Sequence, residues 1–183
     1  MTIELETAMR KRRMHREFED RAVDPADLDI MLWSVSRAQQ VRPGYRHVVV
    51  VDDPGLMKTA REVLPGFTTN NAPMMLVLCS DLSLPAVDSP GGRDTATKLD
   101  AGAACAHLGL IAQQLNMGLC TITGWSIVAV QELLGLPPHL RPDVTVAIGY
   151  PSPVKKMKSV RGPQYLPAVH HNDFGTTYQQ GRS

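Results

Sequence analysis

Six consecutive apolar residues, Met74-Met75-Leu76-Val77-Leu78-Cys79, set the first constraint on what this chain can become. A run this short and without polar alternation is the pattern of a β-strand buried on both faces, since a strand with one wet face alternates. Strand and helix signals alternate around it. His47–Val51 is a β-branched run ending in Asp52-Asp53-Pro54-Gly55, a strand followed by a turn, and Leu119–Thr123 and Val144–Gly149 are two further strands. The best-signalled helix follows Asp24, a capping residue, with Pro25 at its first position and Asp27 in its first turn. Leu28, Met31, Leu32 and Val35 then recur at helical spacing. Ile3 to about Arg12 reads as a short amphipathic helix with Leu5 and Met9 on one face, and Pro54 to Leu64 as another. About Thr97 to Met117 is a long central helix stopped by Gly118 and rich in small residues that admit a second backbone. Ser126 caps a helix running to Leu134, with Gly135 beyond it. Such alternation predicts a layered α/β or α+β domain.

The 183 residues suffice for one domain with a real core. A net charge of +1 argues against general nucleic-acid or membrane-surface binding, because no whole-molecule field attracts a polyanion. The longest uncharged helical stretch, Ala101–Met117, carries His107, Gln113, Gln114 and Asn116 and falls short of the ~20 apolar residues that cross a bilayer. The basic residues Arg10–Arg13 lead into a polar stretch rather than the apolar core of a secretory signal. Cys79, Cys105 and Cys120 lie in apolar surroundings with no metal-ligand spacing, which suits reduced, buried thiols. A soluble, cytoplasmic protein is expected. Asp81–Arg93, with two prolines and Gly91-Gly92, is a loop that serves either as a lid or as plain surface. Trp33 and Trp125 are expected in core or interface packing.

No GxSxG, HExxH, GxGxxG or Walker loop is present, so nucleophilic, zinc-protease and common nucleotide-loop chemistry has no foothold. The adjacent His170 and His171 would point apart, and no metal site is expected. Charge gathers instead at Arg10-Lys11-Arg12-Arg13-Met14-His15-Arg16 and, far along the chain, at Lys155, Lys156, Lys158 and Arg161. The first cluster reads equally as a solvated helix end or as an anion site, in which guanidinium forks grip a terminal phosphate. Glu17, Glu19 and Asp20 beside it argue against a nucleic-acid arm.

The order of these features resembles the nitroreductase family. Arg12-Arg13-Met14-His15-Arg16-Glu17-Phe18 is similar to that family's opening signature, Arg-Arg-Ser-x-Arg-x-Phe. Ala72-Pro73 before Met74–Cys79 resembles its second-strand motif. Asp100-Ala101-Gly102-Ala103-Ala104 through Leu115–Cys120 resembles its central helix and glycine turn, and Val130–Pro137 and Val146–Pro151 resemble its Leu-Leu-Gly-Leu-Pro and Gly-Tyr-Pro segments. The family's serine is Met14 here, and its polar Ser, Asn and Gln around Ser36–Tyr45 are Ala38, Val41 and Pro43.

The resemblance implies an α+β fold of three-layer α/β/α type, a central mixed sheet flanked by helices. It covers residues 1–183 as one domain whose residues 151–183 form an extended arm. It implies a homodimer through the long central helices and that arm, with FMN at the subunit interface and NAD(P)H as co-substrate. Arg12, Arg13 and Arg16 would bind the FMN phosphate and the pyrimidine side of the flavin, with Met14 among them. Arg161 would join at the phosphate, and the Thr123-Gly124 backbone would border the ring. The implied reaction is ping-pong reduction of an electron-poor small molecule, a nitroaromatic or quinone, with no catalytic side chain of the protein's own. The alternative is a flavin- or deazaflavin-binding protein of the same fold with little or no turnover.

Overall fold

A computed structural model describes residues 3–84, 92–153, 169, 170 and 172–176. The chain divides into two compact units, Met1–Pro153 and Val154–Ser183. In the second, the described residues place the His170 and Phe174 rings 4.6 Å apart, and Gly175 N–H donates to His170 Nδ1 at 3.1 Å.

The first unit is a four-stranded sheet in the order β1 (Arg46–Val51), β2 (Met74–Asp81), β4 (Leu140–Gly149) and β3 (Gly118–Ile122). All three pairings are antiparallel. The four strands thus form an antiparallel sheet where a mixed one was expected, and the one parallel pairing is an isolated bridge, Met14 to Leu119, outside the strands at the β3 edge. The apolar run in β2 does what its pattern requires. Leu76 and Leu78 face one core with Val146, Ile148 and the helices α2 (Pro25–Arg37) and α4 (Gly92–Gln114). Met75, Val77 and Cys79 face the other, with Ala147, α3 (Pro54–Val63) and α5 (Ile127–Leu134). Two apolar faces thus force three layers. Pro142, which has no N–H to give the ladder, lies opposite Cys79 at the register shift in the β2–β4 pairing.

Local chemistry sets the helix ends. Asp24 caps α2 by accepting from Ala26 N–H, Asp53 caps α3 through Leu56 N–H, and Ser126 caps α5 through Ala129 N–H. Gly135 closes α5 in the left-handed region at φ 60°. Both ends of α4 and the apolar face of α1 differ from the expectation. Helix α4 starts at Gly92, and Arg93 donates to the Leu82 and Leu84 carbonyls there. It ends at Gln114, and the left-handed residue after it is Asn116 (φ 53°), not Gly118. Asparagine tolerates that conformation, and Met117 N–H then closes the turn on the Ala112 carbonyl. Helix α1 (Leu5–Lys11) buries Ala8, while Leu5 and Met9 are 59% and 57% exposed, so its apolar face is not turned into this core. Trp33 is exposed on α2, whereas Trp125 is half-buried, its indole N–H donating to the Ile122 carbonyl at 2.8 Å. No helix among the described residues is long and apolar enough to cross a membrane.

Candidate functional site

After α1 the chain runs extended across one end of the sheet. His15 N–H donates to the Leu119 carbonyl at 2.8 Å, and Glu19 N–H donates to the Tyr150 carbonyl at 2.8 Å. Phe18 bridges to Pro151, and its backbone is held twice by one side chain: Phe18 N–H donates to Asn71 Oδ1 at 2.7 Å, and Asn71 Nδ2 donates back to the Phe18 carbonyl at 2.9 Å. The Phe18 ring is 2% exposed and, with Pro73, closes over Gly149, where a Cβ would lie 3.0 Å from Phe18 Cδ1 and 2.7 Å from Pro73 Cδ. The basic residues therefore hang from a backbone fixed at both ends.

Glycines seat two of the side chains. A Cβ at Gly109 of α4 would lie 2.9 Å from Arg12 Cδ, and one at Gly118 would lie 2.8 Å from the His15 ring. Arg16 lies close enough to Cys120 for its charge to act on that thiol. Arg12, Arg13, Met14 and Arg16 are all exposed, and none of the three guanidiniums pairs with a carboxylate among the described residues. Thr123 and Gly124, also exposed, follow β3 along the same edge. Gly124 is fixed from behind, because its carbonyl accepts from Gly66 N–H at 2.7 Å. A Cβ at Gly66 would overlap the Ile122 side chain and lie 3.2 Å from the Gly124 carbonyl. Arg161, Lys155, Lys156 and Lys158 lie outside the described residues, as does most of the expected loop between Asp81 and Arg93.

The electrostatics follow from burial and from this excess of cations. His15 is held below the usual histidine value, first by burial and then by the Arg13 charge, with a weak opposing pull from the Arg13 backbone. Burial pushes the Cys79 thiol up to about 12 and the Cys105 thiol up to about 11, and it raises Cys120 against the pull of Arg16. Thiols so displaced are poor nucleophiles. Beyond Thr123 an open groove of about 350 Å³ is bordered by Trp125, Lys98, Asp94 and Arg141. Arg141 donates to Asp143 at 2.8 Å and to Thr97 Oγ1 at 2.9 Å, and it also pairs with Asp94.

The segment where Ala38, Val41 and Pro43 stand is pinned from below. Arg46 donates to the carbonyls of Val35 and Asp100, both at 2.9 Å, and to that of Gln39. The buried Asp100 carboxylate accepts from Val41 N–H at 2.7 Å. Burial lowers the Arg46 pKa, and the Asp100 charge opposes that shift. Arg37 and Arg42, on this segment, are exposed.

Sequence reasoning singled out the arginines and Thr123-Gly124, and counted Gly109 among the small residues that admit a second backbone without naming Arg12 as its partner, but missed Asn71 and Gly66. Asn71 stands directly before the Ala72-Pro73 pair. A glycine inside a helix, as at Gly109, is itself a mark of close approach.

Fold and edge together define an α+β domain that presents exposed, glycine-seated cations along an edge strand. The chain belongs to the nitroreductase family, whose sequence profile matches residues 37–150. Solved structures agree in fold. NfrA2 of Bacillus megaterium superposes with a TM-score of 0.79 at 24% identity, over 98% of this chain and 77% of that one. An FMN-dependent nitroreductase from Clostridium difficile superposes at 0.74 with 24% identity, over 91% and 98% of the two chains. A candidate NADH dehydrogenase/NAD(P)H nitroreductase from Bacteroides thetaiotaomicron gives 0.77 at 19% identity, over 95% and 100%. No curated protein matches the sequence significantly.

Proposed function

We propose that this chain is an FMN-dependent oxidoreductase that uses NAD(P)H to reduce an electron-poor small molecule such as a nitroaromatic or quinone. One observation carries the reading: three guanidiniums without carboxylate partners among the described residues hang from a pinned backbone beside an edge strand. A terminal phosphate dianion is the ligand that such a set of forks suits. The buried, unpartnered His15 Nδ1 and the glycine seats at Gly109 and Gly118 fit the same group. Arg12 and Arg13 hold the phosphate, and Arg161 joins them. Arg16 places charge at the pyrimidine side, and the Thr123-Gly124 backbone, backed by Gly66, borders the ring. FMN, when bound, supplies the hydride chemistry, so the chain needs no acid–base pair of its own. Two proteins of the same fold carry FMN-dependent and NAD(P)H nitroreductase in their names, which supports the assignment.

The assembly is a homodimer with the flavin at the subunit interface, and residues 151–183 are an arm of the single domain. An open stripe on α4 supports the dimer: Leu99 and Ala106 are exposed, and nothing lies within 4 Å of a Cβ built at Gly102. Sedimentation of a monomer would overturn it.

Freshly isolated protein is expected to be yellow, and anaerobic NADH or NADPH to bleach it. Colour without bleaching identifies a passive flavin binder, the reading favoured by Ala38, Val41 and Pro43 in place of polar side chains. Colourless protein whose melting temperature FMN does not raise overturns both. Arg12→Ala is expected to weaken FMN binding by about 1.5–3 kcal/mol, the scale of hydrogen bonds to a charged group, as measured by fluorescence titration. Unchanged affinity would place the phosphate elsewhere.

A further inference from the structure

His15 stands between the arginines, and the reading above assigns it neither a charge nor a proton. Its ring fills the space left by Gly118, where a Cβ would lie 2.8 Å from Cγ and 3.0 Å from Nδ1; that buried Nδ1 has no hydrogen-bonding partner among the described residues, and the Arg13 charge acts on the ring. From the elements it packs against it meets no countercharge: residues 108–119, the last turn of α4 and the first residues of β3, contain no titratable side chain. On its own segment the neighbours are Arg12, Arg13 and Arg16, with Glu17 exposed beyond them. Burial and the Arg13 charge therefore disfavour the imidazolium, and the unpartnered nitrogen stands among cations that repel a proton.

We infer that His15 is a proton-linked anion ligand: when a phosphate dianion settles against Arg12 and Arg13, the imidazole takes up one proton from solvent and becomes a further cation for that anion. The physical cause is a change of field. Two negative charges cancel the repulsion from Arg13 and give the imidazolium a partner, so protonation, disfavoured beside Arg13 alone, becomes favoured. The inference rests on the FMN reading for its natural ligand, but the chemistry it needs is only a phosphate dianion. The sign follows from linkage. A group whose pKa rises on binding strengthens binding as pH falls through the bound-state value, and the gain is complete below the free-state value.

Two measurements on the full chain test it. The imidazole resonances of His15, assigned by comparison with His15→Gln, are followed from pH 5 to 9 with and without FMN. Their midpoint is expected to rise by about a unit or more on binding. In parallel, the FMN dissociation constants of wild type and His15→Gln are compared across the same range, which cancels the titration of the phosphate ester itself. Wild type is expected to gain roughly tenfold over the variant as pH falls. An unchanged midpoint, or a ratio independent of pH, overturns the inference. If FMN does not bind at all, the flavin reading fails by itself. Saturating inorganic phosphate then decides the histidine: a raised midpoint upholds the proton-linked site, and an unchanged one ends it.

Discussion

Phe18→Ala should unfold more easily than wild type by about 3–5 kcal/mol and, while still folded, should bind FMN more weakly. The ring is among the largest fully buried side chains and belongs to the core beneath α3 and α5, with Met75, Val77 and Ala147. Its truncation leaves a cavity whose walls are strand β4 at Gly149 and the rigid Pro73 ring, neither of which can collapse inward. The second effect follows from connectivity. Phe18 is the anchor from which Arg16, His15, Arg13 and Arg12 are hung, and Asn71 grips its backbone only while that backbone stays in place. Phe18→Leu keeps an apolar plug and is expected to lose much less of both. Urea melts and FMN titration well below the melting midpoint separate the two quantities. Full FMN affinity in folded Phe18→Ala would show that the arginines do not depend on this anchor.

Asp100→Ala is expected to cost about 2–4 kcal/mol, the scale of leaving a partly buried N–H without its acceptor and a half-buried guanidinium without the nearby negative charge. The carboxylate does two jobs at once. It offsets the Arg46 charge, and it accepts the Val41 N–H. Removing it strands a guanidinium whose forks also hold the carbonyls of Val35, Gln39 and Asp100 itself. The segment from Arg37 to Tyr45 should then loosen, with faster amide exchange at Val41. Asp100→Asn keeps an acceptor oxygen but not the charge and is expected to lie between. A midpoint for Asp100→Ala equal to wild type would mean that neither the Val41 N–H nor the Arg46 charge depends on the carboxylate.

Much of the architecture was legible because it depends on local chemistry. Asp24, Pro25 and Ser126 mark helix starts since a side-chain oxygen or a fixed φ acts within one turn. The Met74–Cys79 run marks the doubly covered strand since every side chain in it must leave water. Helix α1 is the counterexample. Leu5 and Met9 have the right spacing for an apolar face, but spacing does not say what that face meets, and in this chain both are exposed. The end of α4 is another, because Asn116 and Gly118 both permit a left-handed turn and only the seating of His15 on Gly118 assigns the glycine to the strand.

The amino-acid order by itself determined the layers, the strand faces, most helix ends and the family, all from periodicity, caps and short motifs. Only the tertiary structure decided where Arg12–Glu19 lies and therefore where the guanidiniums stand. An extended segment has no internal period, and its partners, Asn71, Gly109, Leu119 and Tyr150, come from four distant parts of the chain. Their positions are set by the packed core, whose close approaches at Gly66, Gly109 and Gly149 exist only once every layer is in place.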